Sequence, residues 1–186
     1  RRLVLLAGRG EPEAEEAERA VLASGADVTI LRATWFSQNF SESFLLEPVR
    51  LGEIALPAGD MSEPFIDVED IADVAVAALT EDGHVGQCYE LTGPRLLTFT
   101  QVAQELTAAT GRNIRYTSIS IDEYAAAAAE QGVPDDFIQM LRYLFGVLLD
   151  GRNAHLADGV QRALGRAPRD FTDYVRTTAA TGVWAA

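Results

Sequence analysis

The chain contains no lysine. Each of its 15 basic residues is an arginine, so Schiff-base chemistry on lysine and a Walker-type phosphate loop are excluded within these residues. Positive charge is scarce overall, and 28 acidic side chains leave a formal charge of −13. A surface this acidic repels phosphate backbones and anionic lipid, so neither direct nucleic-acid binding nor a membrane is expected. The lone cysteine, Cys88, excludes an internal disulfide and points to a reducing, cytoplasmic setting. Only two histidines occur, His84 and His155, far apart in sequence. Without a Cys/His/Glu cluster at ligand spacing, a zinc site is not expected. No apolar run reaches the ~20 residues that span a bilayer. Arg1 and Arg2 precede an apolar run as a signal peptide would, but the run stops after Ala7, too soon for one. There is no G-x-S-x-G, hence no hydrolase elbow.

What the chain does have is enough apolar residue, 48% of 186, for one domain with a sizeable core. Leu3–Ala7 reads as a buried strand and Gly8-Arg9-Gly10 as a tight turn. Glu11–Ser24 reads as a helix with Pro12 in its first turn, glutamates at the positive end of its dipole, and Gly25 as C-cap. Asp27–Arg32 is the next strand. Strand, helix and strand in that order imply a parallel pair.

Further on, Asp67 is placed as an N-cap, and Ile71, Val74, Ala75, Ala78 and Leu79 form one apolar helical stripe. Cys88–Thr92 alternates as a strand, with Cys88 expected to be a small core residue. Thr98 with Gln101 and Ser120 with Glu123 make two capping boxes. The first opens a helix through Thr110, the second an alanine-rich helix ended by Gly132. Ile114–Ile119 reads as a strand between them. Pro134 opens a helix with Phe137, Leu141, Leu144, Phe145 and Leu148 on its apolar face. Pro48 is expected to interrupt any helix over Phe44–Leu51.

The stretch with most chemical content is Thr29 to Phe40. It starts as a strand and ends as a loop, at the edge where open α/β sheets bind ligands. Trp35 and Phe36 supply flat apolar surface there; Ser37, Gln38 and Asn39 supply hydrogen-bonding groups, a mixture that suits a small planar ligand. The aromatics serve equally well as core plugs under the loop. Two other patterns tempt and fail. Gly8-Arg9-Gly10-Glu11-Pro12-Glu13 resembles G-x-G-x-x-G, but its sixth position is glutamate and the glutamates put negative charge where a pyrophosphate would sit. Asp67-Val68-Glu69-Asp70 could hold a metal, but its carboxylates suit a helix N-terminus better.

Ala17-Glu18, Ser24 to Arg32, Trp35-Phe36, Asn39-Phe40, Phe65 to Ala72, Tyr89 to Gly93 and Leu164 to Phe171 together resemble the NmrA-like proteins. These are atypical short-chain dehydrogenase/reductases that include NAD(P)H:quinone reductases and non-catalytic redox sensors. The resemblance implies an α/β fold: a Rossmann-like parallel sheet, of which this would be the C-terminal part, with a small mixed α/β C-terminal lobe. It implies NADP or NAD as cofactor in a complete protein and a chain lacking the family's first strands and phosphate loop; the residues themselves offer no metal site. It also implies Ala33 and Thr34 on the nicotinamide side and Trp35, Phe36 and Asn39 on the substrate side. The function implied is reduction of a quinone or similar small carbonyl compound by direct hydride transfer. The alternative is a cofactor-sensing regulator acting through a protein partner. Two departures stand out. The parent group's Tyr-x-x-x-Lys positions fall on Gly10 and Ala14, so the resemblance assigns no catalytic residue and leaves the proton to water or substrate. The family's common proline after this strand is Ala33.

Overall fold

A computed structural model of the chain describes residues 1–185. In chain order the elements are β1 (Arg2–Gly8), α1 (Pro12–Leu22), β2 (Asp27–Ala33), α2 (Asn39–Glu42), α3 (Leu46–Leu51), β3 (Glu53–Leu56), β4 (Ser62–Glu63), α4 (Val68–Thr80), β5 (Cys88–Leu91), β6 (Leu97–Thr98), α5 (Phe99–Thr110), β7 (Arg115–Ser118), α6 (Ile121–Glu130), α7 (Asp135–Tyr143), a π-helical turn (Leu144–Leu148), α8 (Gly159–Leu164) and α9 (Phe171–Ala180). They form two compact units. The first takes Arg1–Gln38, Pro64–Leu96 and His155–Tyr174; the second takes Asn39–Glu63, Leu97–Ala154 and Val175–Ala186. The fold class is α/β, with a Rossmann-like parallel sheet in the first unit and mixed α/β structure in the second.

The first unit is a three-stranded parallel sheet in the order β1-β2-β5. β2 is central, and Val28, Thr29, Ile30 and Leu31 are all buried, as expected of a strand covered on both faces. Alternation along the strands sends Leu31, Ala33, Tyr89 and Leu91 to one face, where they meet Ile71 and Val74 of α4 and Val160 of α8. The opposite face carries Arg32, whose guanidinium grips Glu18 of α1 through two bonds of 2.8 and 2.6 Å. Both members are largely withdrawn from water, so the pair is bidentate and specific in geometry. On α4, Asp70 is fully buried and holds the backbone N–H of Arg169 at 2.6 Å and the guanidiniums of Arg166 and Arg169.

The second unit holds a parallel pair, β3 with β7, and a short antiparallel pair, β4 with β6. Both predicted capping boxes form, on α5 and α6. Gly111 closes α5 in the left-handed region at φ 69°. The lobe is assembled from three separate stretches of chain, so it is C-terminal only in part.

Several expectations are corrected. α1 ends at Leu22 with Ala23 as C-cap, and Gly25 (φ 75°) serves the turn into β2 instead. α3 forms in spite of Pro48, because Pro48 is its third residue and the first four helical N–H groups have no intrahelical partner to lose. Leu79 is 46% exposed, and Ala77 takes the core side in its place. Phe137 is exposed and Ile138 is buried; the face continues through Leu141, Phe145 and Leu148. The wider π turn, closed by Leu149 N–H on Leu144 O at 3.0 Å, resets the helical register. Cys88 is exposed and not a core residue, because β5 commits Tyr89 and Leu91 to the core and alternation turns Cys88 away.

Candidate functional site

The three parallel strands end together at Gly8, Ala33 and Leu91. The edge they form is tied by backbone bonds from Arg9 N–H to Ala33 O (3.0 Å) and from Thr34 N–H to Leu91 O (3.2 Å). Beyond β2 the chain stays extended. Trp35 O accepts from Ile66 N–H at 2.9 Å and Ser37 N–H donates to Ile66 O at 2.8 Å, so Phe36 and Ile66 form a parallel bridge. The Pro64–Ile66 segment is held in turn by Gly93 N–H on Pro64 O at 2.9 Å. A Cβ at position 93 would collide with Phe65 O, so this approach needs glycine.

This frame decides what the loop side chains do. Phe36 packs against the core cluster. Trp35, one residue earlier and so turned the other way, is half-buried and outside that cluster. Ala33 and Thr34 are 6% and 5% exposed, Ala33 inside the core cluster; what they offer to the edge is chiefly backbone. Gln38, expected to face a ligand, is spent on structure. Its Nε2 donates to Asp67 Oδ1 at 2.8 Å and its Oε1 accepts from Val68 N–H at 3.0 Å. Asp67 also accepts from Glu69 N–H at 3.0 Å, which makes it the N-cap the sequence predicts. Ser37 is 1% exposed, and among the described residues its Oγ has no hydrogen-bond partner. Asn39 opens α2 in the second unit and is half-buried.

The β1 end is acidic. Arg9 is buried, with Nε on Glu90 Oε2 at 3.0 Å and Nη1 on His155 O at 3.0 Å. Glu11 occupies the N-cap position of α1 but makes no cap bond. Its carboxylate folds back over Gly8 and fills the space that a side chain there would take. Burial, with the Glu13 carboxylate adding to it, pushes the Glu11 carboxyl above its ordinary value. Its return over a glycine, in an N-cap position without a cap bond, has no signal in the local sequence. Among the described residues no group of three or more His, Cys, Asp or Glu side chains is placed to hold a metal. Nor is any helix among them long and apolar enough to cross a membrane.

Open parallel α/β sheets bind ligands in the crevice outside the carboxyl ends of their strands, which is where this loop lies. No family model matches the chain. It is 33% identical over 166 residues to the NAD(P)H azoreductase of Xenophilus azovorans, a match that covers 89% of this chain and 57% of the relative. The structure superposes on an NADPH-dependent quinone oxidoreductase from Escherichia coli with a TM-score of 0.81 at 27% identity, covering 95% of this chain and 66% of that one. It also matches the fold of NmrA, a negative transcriptional regulator solved with NADP, with a TM-score of 0.70 at 17% identity, covering 100% of this chain and 68% of that one. The proteins it is similar to in sequence and fold are NmrA-like and NAD(P)H quinone reductase-like atypical short-chain dehydrogenase/reductases. It spans about half the length of the curated relatives it matches.

Proposed function

We propose that this chain carries the acceptor side of an NAD(P)H-dependent oxidoreductase that reduces a quinone or similar small carbonyl compound by direct hydride transfer. The observation that carries the proposal is the half-buried indole of Trp35, held at the carboxyl edge of a parallel sheet by a frame that uses both ends of the Gln38 amide elsewhere. A flat apolar surface on a rigid support is what orients a planar acceptor. The small Ala33 at the end of β2 fits the ring end of a dinucleotide. The arginines nearest that edge, Arg9 and Arg32, are committed to Glu90 and Glu18, so the edge does not fit the phosphates. In this proposal the backbone at Ala33 and Thr34 borders the nicotinamide, and Trp35 and Phe36 border the acceptor. When bound, the cofactor supplies the hydride; the protein orients, excludes water and manages the proton.

The relatives named for azo and quinone reduction support this assignment. The test is oxidation of NADH and NADPH by the complete protein against a panel of quinones and azo compounds. Acceptor-dependent turnover is expected. A regulatory protein that binds the cofactor and a protein partner is the second possibility, favoured by the loss of the tyrosine and lysine at Gly10 and Ala14. Cofactor binding with no turnover on any acceptor would establish it.

A further inference from the structure

We propose that Glu11 is the proton donor of this site. The inference rests on the oxidoreductase assignment above. Hydride addition brings an electron pair to the acceptor and leaves negative charge on a carbonyl oxygen. One proton is then needed to finish as a hydroquinone or alcohol. The position from which the parent group's tyrosine would act is Gly10. The next residue is Glu11, and its carboxylate does not stay on the helix.

Three observations place it at the site. The carboxylate occupies the side-chain space of Gly8, and Gly8 is the register partner of Ala33 at the carboxyl edge of the sheet. Neighbouring strands lie about 4.8 Å apart, so the group stands beside the end of β2, from which Trp35 departs. It is also unclaimed: at the N-cap of α1 it makes no cap bond, and among the described residues it has no hydrogen bond or ion pair. An N-cap carboxylate usually takes one of the orphan N–H groups. Finally, its environment favours the acid form. It is half-buried, and burial and Glu13 both raise its affinity for the proton. The charged group that acts on it is Glu13 on α1, while Arg9, two residues before it, is already paired with Glu90. A half-buried carboxyl with raised proton affinity in an active-site edge is the usual form of a carboxylic general acid.

The step balances. The acceptor gains hydride from the reduced nicotinamide, which is oxidised. The C=O π bond of the acceptor breaks, a C–H bond and an O–H bond form, and Glu11 is left as carboxylate; with a quinone the ketol so formed then enolises, its new C–H bond breaking as the second carbonyl oxygen gains a proton, to give the hydroquinone. The positive end of the α1 dipole steadies that anion, and its solvent-facing side regains a proton from water.

The complete protein is tested as wild type, Glu11→Gln, Glu11→Asp and Glu13→Gln, with two kinds of acceptor. A quinone needs hydride and proton; a triarylmethyl cation dye needs hydride alone. Glu11→Gln is expected to lower kcat on the quinone about 10²-fold or more, to spare the dye, and to remove the alkaline fall of the quinone pH profile. Glu11→Asp restores part of the rate. Carboxyl-carbon NMR of wild type should show a glutamate signal titrating above the ordinary carboxylate range that is absent in Glu11→Gln and shifted down in Glu13→Gln. Equal slowing of both acceptors, or unchanged quinone turnover in Glu11→Gln, overturns the proposal while the oxidoreductase assignment stands. A wild type inert toward every acceptor, yet with the same raised titration, overturns both, and the NMR then shows that the carboxyl was placed for something other than reduction.

Discussion

Trp35 and Trp184 carry the same indole into opposite surroundings. Trp184, in the second unit, is 1% exposed, and its Nε1 donates to Phe40 O at 2.7 Å. The Arg50 and Arg112 guanidiniums clasp the backbone on either side of it, at Val183 O (2.9 Å) and Trp184 O (2.5 Å). Trp35 is half-buried and lies outside the core cluster. Truncating Trp184 to alanine is therefore expected to cost about 3–5 kcal/mol, the usual range for a large buried aromatic, read as a fall in the denaturation midpoint. Trp35→Ala is expected to cost less stability than Trp184→Ala while raising the acceptor KM of the complete protein at unchanged NADPH affinity. Acrylamide should quench only the emission that Trp35→Ala removes. A Trp35→Ala protein with wild-type KM and a sharply lowered melting temperature would return that indole to the core. At the same scale, Asp67→Ala should cost about 0.5–2 kcal/mol as a lost N-cap. The cost should fall at the upper end, because Gln38 Nε2 loses its acceptor in the same change; chemical denaturation measures it.

Helix ends were the elements most legible in the sequence. The signals at Thr98/Gln101, Ser120/Glu123 and Asp67 are local: side chain and backbone partner lie within three residues, and all three caps form. The β1-α1-β2 parallel unit was legible for the same reason, since strand, helix and strand follow one another directly. Facing was harder. Phe137 and Leu79 fit a helical stripe by spacing, but packing chose Ile138 and Ala77, and no periodicity announces a π turn. Least legible were contacts whose partners are distant in sequence, such as Arg9 with Glu90 and Arg169 with Asp70. One distant pair makes a pH prediction. Asp170 accepts two bonds of 2.8 Å from Arg95 and, at the start of α9, one from Thr172 N–H at 2.8 Å. Bonding to Arg95 first, and to Thr172 next, holds its carboxyl far below the usual carboxylate range. The folded value is depressed, so the stabilisation is present above the unfolded value near 4 and is lost as pH falls toward the folded value. Asp170→Asn should thus be less stable than wild type at neutral pH, with the gap in melting temperature closing below about pH 4. A gap that stays constant down to pH 2 would mean the stabilisation comes from packing and not from charge.

The charge of the whole molecule bears on which ligand these residues retain by themselves. A net −13 disfavours any polyanion through the summed field, most strongly at low ionic strength. At the strand edge the local picture agrees with the global one. Glu11, Glu13 and Glu15 crowd the start of α1, and the Arg9 and Arg32 guanidiniums already hold carboxylates of their own. A dinucleotide docked there would meet apolar surface for its nicotinamide ring and negative charge for its pyrophosphate. Residues 1–186 alone are therefore expected to bind NADPH more weakly than about 1 mM, which is less than about 4 kcal/mol. Added salt should improve the affinity, because screening relieves repulsion here and breaks no phosphate contact. An uncharged planar quinone escapes the penalty, and its binding to the same residues, followed by Trp35 quenching, should be indifferent to salt. Titration calorimetry at two ionic strengths separates the cases. Micromolar NADPH affinity that weakens as salt rises would require a phosphate site within these residues and would reverse the rejection of Gly8–Glu13 as a phosphate loop.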